Sequence, residues 1–249
     1  MPTVKNSAIF FIHGGPGLSS SYFQGWFDQF TATHDLIFYD QTYDVPTGVS
    51  IIESLCKELR NKMLLMTQQY DDIVVFAHSW GVYLLLKSIS DMKNKPYWNK
   101  ISKFILSNPS DTNWKRFNES GDRLFAKMPE NVMRKISECS DGIDLMKVAL
   151  PYYVGDCNNV PDINIDRYDM VAYERISGEM ENYDVGSLVK LLPKYRTYSI
   201  YCENDFETVE GSPELTENSI VINFPEAGHF PFAENQEEFM KIVKKILDN

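Results

Sequence analysis

Ser79 stands where an apolar run typical of a strand, residues 71 to 78, passes into an apolar run typical of a helix with almost no loop between them. A serine hydroxyl becomes a strong nucleophile when a neighbouring base takes its proton and a third group orients that base. A sharp strand-to-helix turn projects the serine from the sheet and points the next N–H, that of Trp80, at a reacting carbonyl oxygen. These residues predict nucleophilic attack on a carbonyl group.

The residues around this corner are Ala-His-Ser-Trp-Gly, from Ala77 to Gly81. They match the pattern GxSxG, except that alanine replaces the first glycine. Small residues at both ends of the pattern let the strand and the helix approach closely. A serine at the end of a strand is also often a simple helix cap. The catalytic interpretation therefore depends on whether the chain provides an acid and a base for this serine.

Two partners have the required positions. Asp205 and His229 each follow a run typical of a strand, so the chain order is serine, acid, histidine, each at the carboxyl end of a strand. Glu203 is the alternative acid. The other histidines are poorly placed for a base, since His13 lies in a glycine-rich turn, His34 precedes a strand and His78 lies inside the corner itself.

A glycine-rich turn provides further support for this chemistry. The sequence FFIHGGPG at residues 10 to 17 ends a strand in a turn whose glycines leave backbone N–H groups free. The N–H of Gly14 or Gly15 is therefore a candidate for the second arm of an oxyanion hole, with the N–H of Trp80 as the first. The alternative is an ordinary Gly/Pro turn. We expect His13 to have a structural role.

The strands and helices that must hold these residues follow from the hydrophobic pattern. Six apolar runs are rich in β-formers, and most are continuous, as expected for strands covered on both faces of a parallel sheet. They lie at residues 7–13, 35–41, 71–78, 101–108, 195–202 and 219–225. Amphipathic helices are predicted at residues 50–70, with Ser50 and Glu53 as a capping box, and at the C-terminus.

The segment between the fourth and fifth predicted strands has a different character. Residues 110–189 contain no run rich in β-formers but hold helical stretches at 130–139 and 168–180. We predict a core of residues 1–109 and 190–249 with a helical lid inserted at 110–189, above the edge where such sheets bind ligands. Its aromatic side chains are expected to pack mostly within the lid: Trp114, Phe117, Tyr152, Tyr153, Tyr168 and Tyr173.

Composition narrows the class of protein. The 249 residues are 43% hydrophobic, enough for one large core, and the net charge of −11 argues against a nucleic-acid partner. No apolar run is long enough to span a membrane and no signal peptide precedes the first strand, so we expect a cytoplasmic protein. The four cysteines form no CxxC pair, although Cys139 and Cys157 lie within one segment. We expect no cofactor, no metal and no membrane partner.

With these residues identified, the chain resembles the α/β-hydrolase superfamily, and within it the proline iminopeptidase-like branch. The similarity spans nearly the whole chain and is weakest in the lid. It rests on HGGPG at 13–17, YDQ at 39–41, HSWG at 78–81, CEND at 202–205 and AGHFPFAENQEEF at 227–239. The resemblance implies a trimmed sheet of about six mostly parallel strands with helices on both faces, because the chain begins at the third strand of the family.

The resemblance also implies roles for individual residues. Ser79 would be the nucleophile, His229 the general base and then acid, and Asp205 its orienting partner. Relatives that release an N-terminal residue hold its ammonium with carboxylates, which would place Glu181 near the substrate amine, with Glu174 and Glu179 as alternatives.

The chain departs from its relatives next to the predicted triad acid. Many relatives have an acidic residue directly after the triad aspartate, whereas this chain has Phe206, followed by Glu207. An apolar side chain at that position suits an acyl pocket better than an ammonium site.

The leading hypothesis is a serine hydrolase that cleaves an ester or amide of a small molecule or short peptide through an acyl-enzyme, as an aminopeptidase or an esterase. A lyase or a hydrolase of C–C bonds would use the same three residues. The alternative from another class is a non-catalytic ligand-binding or interaction protein on a hydrolase fold.

Overall fold

A computed structural model describes residues 6–207 and 212–249, apart from the side chains of Pro96 and Tyr97. Six strands form one parallel sheet in the order β2-β1-β3-β4-β5-β6. Their bounds are β1 (Ser7–Ile12), β2 (Asp35–Tyr39), β3 (Asp72–His78), β4 (Ile101–Ser107), β5 (Thr197–Cys202) and β6 (Ile220–Phe224). The predicted fold class is confirmed, and each predicted strand lies within two residues of its observed bounds.

Helices cover both faces of the sheet. They are α1 (Ile51–Gln69), α2 (Trp80–Met92), α3 (Trp114–Ala126), α4 (Glu130–Glu138), α5 (Gly142–Ala149), α6 (Met170–Glu179), α7 (Gly186–Val189), α8 (Pro213–Asn218), α9 (Pro231–Glu234) and α10 (Gln236–Asp248). Short 3₁₀ helices lie at Ser20–Phe23, Asp28–Ala32, Pro96–Lys100, Leu150–Tyr152 and Lys194–Arg196. Within the described part of the chain, no helix has the length and apolar character needed to cross a membrane.

The alternation of side chains along β1 explains why its sequence is continuously apolar. Phe10 packs into a core with α1 and α2 on one face, while Ile9 and Phe11 pack into a core with α10 on the other. Both faces of β1 are buried, so the strand lacks the alternating polar residues of a half-exposed strand. Because all six strands are parallel, their carboxyl ends lie at one edge of the sheet, where the predicted catalytic residues are found.

The α-helices between β4 and β5 are α3 to α7, which contain the helical stretches predicted near residues 130 and 170. Glu179 at the end of α6 accepts hydrogen bonds from Ser50 Oγ (2.6 Å) and from the N–H groups of Ile51 (2.8 Å) and Ile52 (3.1 Å), at the start of α1. This carboxylate caps α1 and attaches α6 to the core. Cys139 and Cys157 are free thiols.

Candidate active site

Ser79 lies between β3 and α2 with a strained backbone. Its φ of 53° and ψ of −126° are uncommon for a residue with a side chain. The Ser79 N–H donates to Ser107 O (3.1 Å), which fixes the corner to the end of β4. Because Trp80 is the first residue of α2, its N–H has no acceptor within the helix and remains available beside the serine.

Gly81 shows why this corner needs a small residue after the serine. A Cβ atom at Gly81 would lie 2.6 Å from Ile12 O and 2.7 Å from His13 O, so any side chain there would displace β1. Ala77, which replaces the first glycine of the pattern, is fully buried in β3 and its single methyl group is accommodated. The departure from GxSxG therefore leaves the corner intact.

His229 and Asp205 form a buried pair at the same edge. His229 Nδ1 lies 3.0 Å from both carboxylate oxygens of Asp205, and since a carboxylate can only accept, Nδ1 carries the proton. Nε2 is thereby left as the base. Burial opposes ionisation of Asp205, but the neighbouring imidazole and the hydrogen bonds that the carboxylate accepts keep its pKa below the ordinary value. Among the described residues, Ser79 Oγ makes no hydrogen bond, although Ser79 and His229 line one cavity.

Asn108 holds the acid, a role that the sequence analysis missed. This buried residue follows β4 with a positive φ of 48°. Its Nδ2 donates to Asp205 Oδ2 (2.7 Å) and to Gly228 O (3.1 Å). Ser107 Oγ donates to Asn108 Oδ1 (2.9 Å), which settles the orientation of the amide. The available signal was an asparagine directly after a strand at the catalytic edge.

Glu234 holds the loop that carries His229. Its Oε2 accepts from the N–H groups of Gly228 (2.8 Å) and Gly155 (2.7 Å), and its Oε1 accepts from the N–H of Phe230 (2.9 Å). The His229 N–H donates to Tyr153 O (2.8 Å). The histidine loop is thus attached directly to residues 153–155 of the insertion.

His78 and Tyr22 connect three of the loops at this edge. His78 Nε2 lies 2.7 Å from His229 O, and since a carbonyl only accepts, Nε2 is the protonated nitrogen. Burial and the nearby His229 lower the pKa of His78 to about 3, so the ring is neutral and Nδ1 is an acceptor. Tyr22 Oη, 2.9 Å from Nδ1, therefore donates to it and also accepts the N–H of Gly14.

These buried histidines predict a loss of stability in mild acid. Burial lowers the pKa of His13 to about 4 and that of His78 to about 3, against 6.5 for an exposed imidazole. Between about pH 6.5 and pH 4 the unfolded chain therefore binds protons that the folded chain does not. We expect the free energy of unfolding to fall by about 1.4 kcal/mol per pH unit for each histidine as the pH decreases.

Urea unfolding at about pH 7.5 and about pH 5 measures this effect, above the range where most carboxyl groups titrate. Burial raises the pKa of Glu207, which changes stability in the opposite direction, so comparison with His13→Gln isolates one imidazole. His13→Gln should lose about 1.4 kcal/mol less per pH unit than the wild type, and an equal loss in both proteins would show that His13 is accessible to protons in the folded protein.

A cavity of about 280 Å³ opens beside Ser79 and His229. Gly15 and Pro16 line it, together with a group of aromatic side chains. The aromatic side chains that line it outside the histidine loop include Phe117, Phe125, Tyr153, Tyr168, Tyr173 and Phe206. Four of the six aromatic residues expected to pack mostly within the insertion therefore line the cavity, which makes it suitable for an apolar acyl group.

Glu207 is the one carboxylate of the cavity wall that is fully enclosed. Its side chain is buried, and among the described residues no hydrogen-bond partner reaches its Oε2. Burial and the neighbouring Asp205 raise the pKa of Glu207 well above its ordinary value, which favours the neutral form relative to that of an exposed carboxyl group. A buried oxygen without a partner is costly, and a ligand with a positive charge or a strong donor would satisfy it.

The structure does not bring Glu181 to this cavity. Glu181 is exposed in the turn after α6, and Glu174 and Glu179 are also exposed. Glu203, the alternative acid, is exposed as well, whereas Asp205 is buried against His229. Phe206 does line the cavity, with its ring centroid 4.7 Å from that of His229. Glu207 is therefore a buried carboxylate in the cavity wall, whereas Glu181 is not part of that wall.

The two glycines predicted as candidates for the second arm of the oxyanion hole differ in their hydrogen bonds. The N–H of Gly14 is occupied by Tyr22 Oη. Gly15 has a φ of 120° and lines the cavity, and among the described residues no hydrogen bond occupies its N–H. Of the two glycines, Gly15 has the free N–H.

Comparisons with known proteins agree with this architecture. Residues 40–133 match the model of a family described as an alpha/beta hydrolase of unknown function (DUF900). A proline iminopeptidase of Heyndrickxia coagulans is 22% identical over 271 aligned positions, covering 97% of this chain and 90% of that protein.

Two solved structures share the fold. The crystal structure of VinJ superposes with a TM-score of 0.71 at 16% identity, covering 99% of this chain and 91% of VinJ. The proline iminopeptidase of Mycobacterium smegmatis superposes with a TM-score of 0.65 at 16% identity, covering 100% of this chain and 90% of that one. At such identities the likeness establishes the fold, and the activity has to be argued from the site.

Proposed function

We propose that this chain, which resembles the α/β-hydrolase superfamily and its proline iminopeptidase branch, is a serine hydrolase that cleaves an ester or amide bond of a small substrate. The observation that carries this proposal is the arrangement at one cavity: a serine on a strained corner beside a histidine that a buried aspartate orients. A purely structural serine would not require a positive φ at this position.

The proposed reaction follows from these contacts. Ser79 Oγ attacks the substrate carbonyl while its proton passes to His229 Nε2, and the carbonyl oxygen becomes an oxyanion beside the N–H of Trp80. The protonated imidazole is stabilised by Asp205. It then gives its proton to the leaving alcohol or amine, and an acyl-enzyme on Ser79 remains. Water, deprotonated by His229, releases the acid.

The cavity supports two versions of the substrate. Its aromatic wall suits an apolar acyl group, as an esterase would need. Glu207 favours a substrate with a positive charge near the scissile bond, such as the N-terminal residue of a short peptide, because an ammonium would ionise and satisfy the buried carboxyl. We therefore propose an aminoacyl substrate as the first candidate and a neutral ester as the second.

A panel of matched arylamides and aryl esters tests the proposal. Prolyl compounds and cyclopentanecarbonyl compounds have acyl groups of the same shape, and only the former carry an ammonium. We expect hydrolysis that disappears in Ser79→Ala, with higher kcat/KM for the prolyl compounds. Faster hydrolysis of the neutral esters would favour the esterase. An absence of both activities in folded protein would favour the ligand-binding protein.

A further inference from the structure

Of the two backbone N–H groups predicted for the second arm of the oxyanion hole, that of Gly15 is free among the described residues, whereas that of Gly14 meets a tyrosine hydroxyl. The N–H of Gly14 points at Tyr22 Oη, so it cannot serve a substrate oxygen while that bond persists. The Tyr22 hydroxyl oxygen thus takes the place that a substrate oxygen would need in order to accept from Gly14 N–H. This leaves open what stabilises the oxyanion on the Gly14 side of Ser79.

Tyr22 Oη and Ser79 lie on either side of Gly14 at the cavity. A Cβ atom placed on Gly14 would be 2.9 Å from Ser79 Cβ and 3.1 Å from Tyr22 Oη, so both atoms border the same small volume. Tyr22 also lines the cavity, although its side chain is only 1% exposed. The ring is held by edge contacts with His78 and Phe230 and by stacking on Phe232.

We propose that the Tyr22 hydroxyl donates to the oxyanion, in place of the N–H of Gly14. This inference rests on the proposed function, since an oxyanion forms only if Ser79 attacks a carbonyl. In the resting site the Tyr22 proton is directed at His78 Nδ1. When the bond between Ser79 Oγ and the carbonyl carbon forms, the O–H turns to the new oxyanion and stays covalently intact. The proton that leaves Ser79 goes to His229 Nε2.

The exchange is favourable only while the oxyanion exists. A hydrogen bond to a charged oxygen is about twice as strong as one to a neutral acceptor such as His78 Nδ1. The neutral carbonyl of the bound substrate has no such advantage, so Tyr22 stabilises the transition state more than the ground state. Throughout, Gly14 N–H continues to hold the phenol oxygen in place.

Fluorophosphonate labelling measures this role without a known substrate, because the P=O oxygen occupies the oxyanion hole as Ser79 attacks. In Tyr22→Phe we expect the maximal labelling rate to fall about 100-fold, with little change in the probe concentration at half-saturation. Labelling of the wild type on Ser79 tests the proposed function separately, so a failure of the proposed function can be told apart from a failure of this inference.

Tyr43→Phe is the matched control. Tyr43 is a second buried tyrosine whose hydroxyl accepts an N–H of the same loop, that of Gly17 (3.1 Å), but it lies outside the cavity wall. We expect its labelling rate to stay within a few-fold of the wild type. A rate in Tyr22→Phe equal to or above the wild type would overturn the inference, because Gly14 N–H would then have taken over. An equal loss in both variants would also overturn it.

A second variant applies if Tyr22→Phe does not fold. Replacing Tyr22 with 3-fluorotyrosine keeps the ring and its hydroxyl but makes the hydroxyl a stronger donor. The maximal labelling rate should then rise above that of the wild type. An unchanged or lower rate would contradict donation by Tyr22.

Discussion

Asp205→Asn should lower kcat by about four orders of magnitude while the protein remains folded. The carboxylate accepts the proton of His229 Nδ1 and thereby leaves Nε2 as the base. An asparagine amide can donate to Nδ1, which selects the tautomer with its proton on Nε2. That tautomer cannot accept the proton of Ser79. Steady-state turnover of the best compound in the panel measures the loss, with thermal unfolding to confirm the fold.

Asp111→Asn is the matched control for removing a buried carboxylate. Asp111 is also buried, but its Oδ1 pairs with Arg116 Nε at 2.8 Å instead of with a histidine. We expect this change to affect stability and to leave kcat within a few-fold. If Asp205→Asn kept more than about a tenth of wild-type turnover, the assignment of Asp205 as the orienting acid would be wrong.

Glu207→Gln should lower kcat/KM for a prolyl arylamide on the order of 100-fold and leave that of the cyclopentanecarbonyl isostere nearly unchanged. A glutamine has the same shape, so the apolar wall is kept. What it removes is the negative charge that a buried ammonium needs as a partner. Measuring kcat/KM for both compounds with both proteins separates the effect of the charge from the effect of packing.

The pH dependence of the wild type provides a second readout. An ammonium binds the ionised form of Glu207, whose pKa is raised in the empty cavity, so kcat/KM for the prolyl compound should increase as the pH rises through that value. The neutral isostere should lack this increase. Glu181→Gln, at an exposed position, is the control and should behave as the wild type. Equal losses on both compounds in Glu207→Gln would contradict an ammonium site.

The hydrophobic pattern was sufficient to predict the sheet. Residues 73–77 are apolar at every position because both faces of β3 are buried, as is typical of a strand inside a parallel sheet. The cap at Ser50 follows from local backbone chemistry, and its side chain accepts from the Glu53 N–H as predicted.

The polar contacts between distant loops could not be predicted in the same way. Asn108 contacts Asp205, 97 residues later in the sequence, and His78 contacts His229 O, 151 residues later. No local sequence pattern indicates either contact. Glu207 is buried whereas Glu181 is exposed, and the sequence around the two residues does not indicate this difference. The occupation of Gly14 N–H by Tyr22 likewise depends on where the following 3₁₀ helix directs its aromatic side chains.

The role of Ser79 is tested most directly by the intact mass of the protein after incubation with a fluorophosphonate probe, with Ser79→Ala as control. We expect addition of one phosphonyl group to the wild type and none to Ser79→Ala, since labelling requires a serine activated by His229. A folded wild type that stays unlabelled, or a Ser79→Ala protein that labels equally, would contradict the proposal that Ser79 is an activated nucleophile.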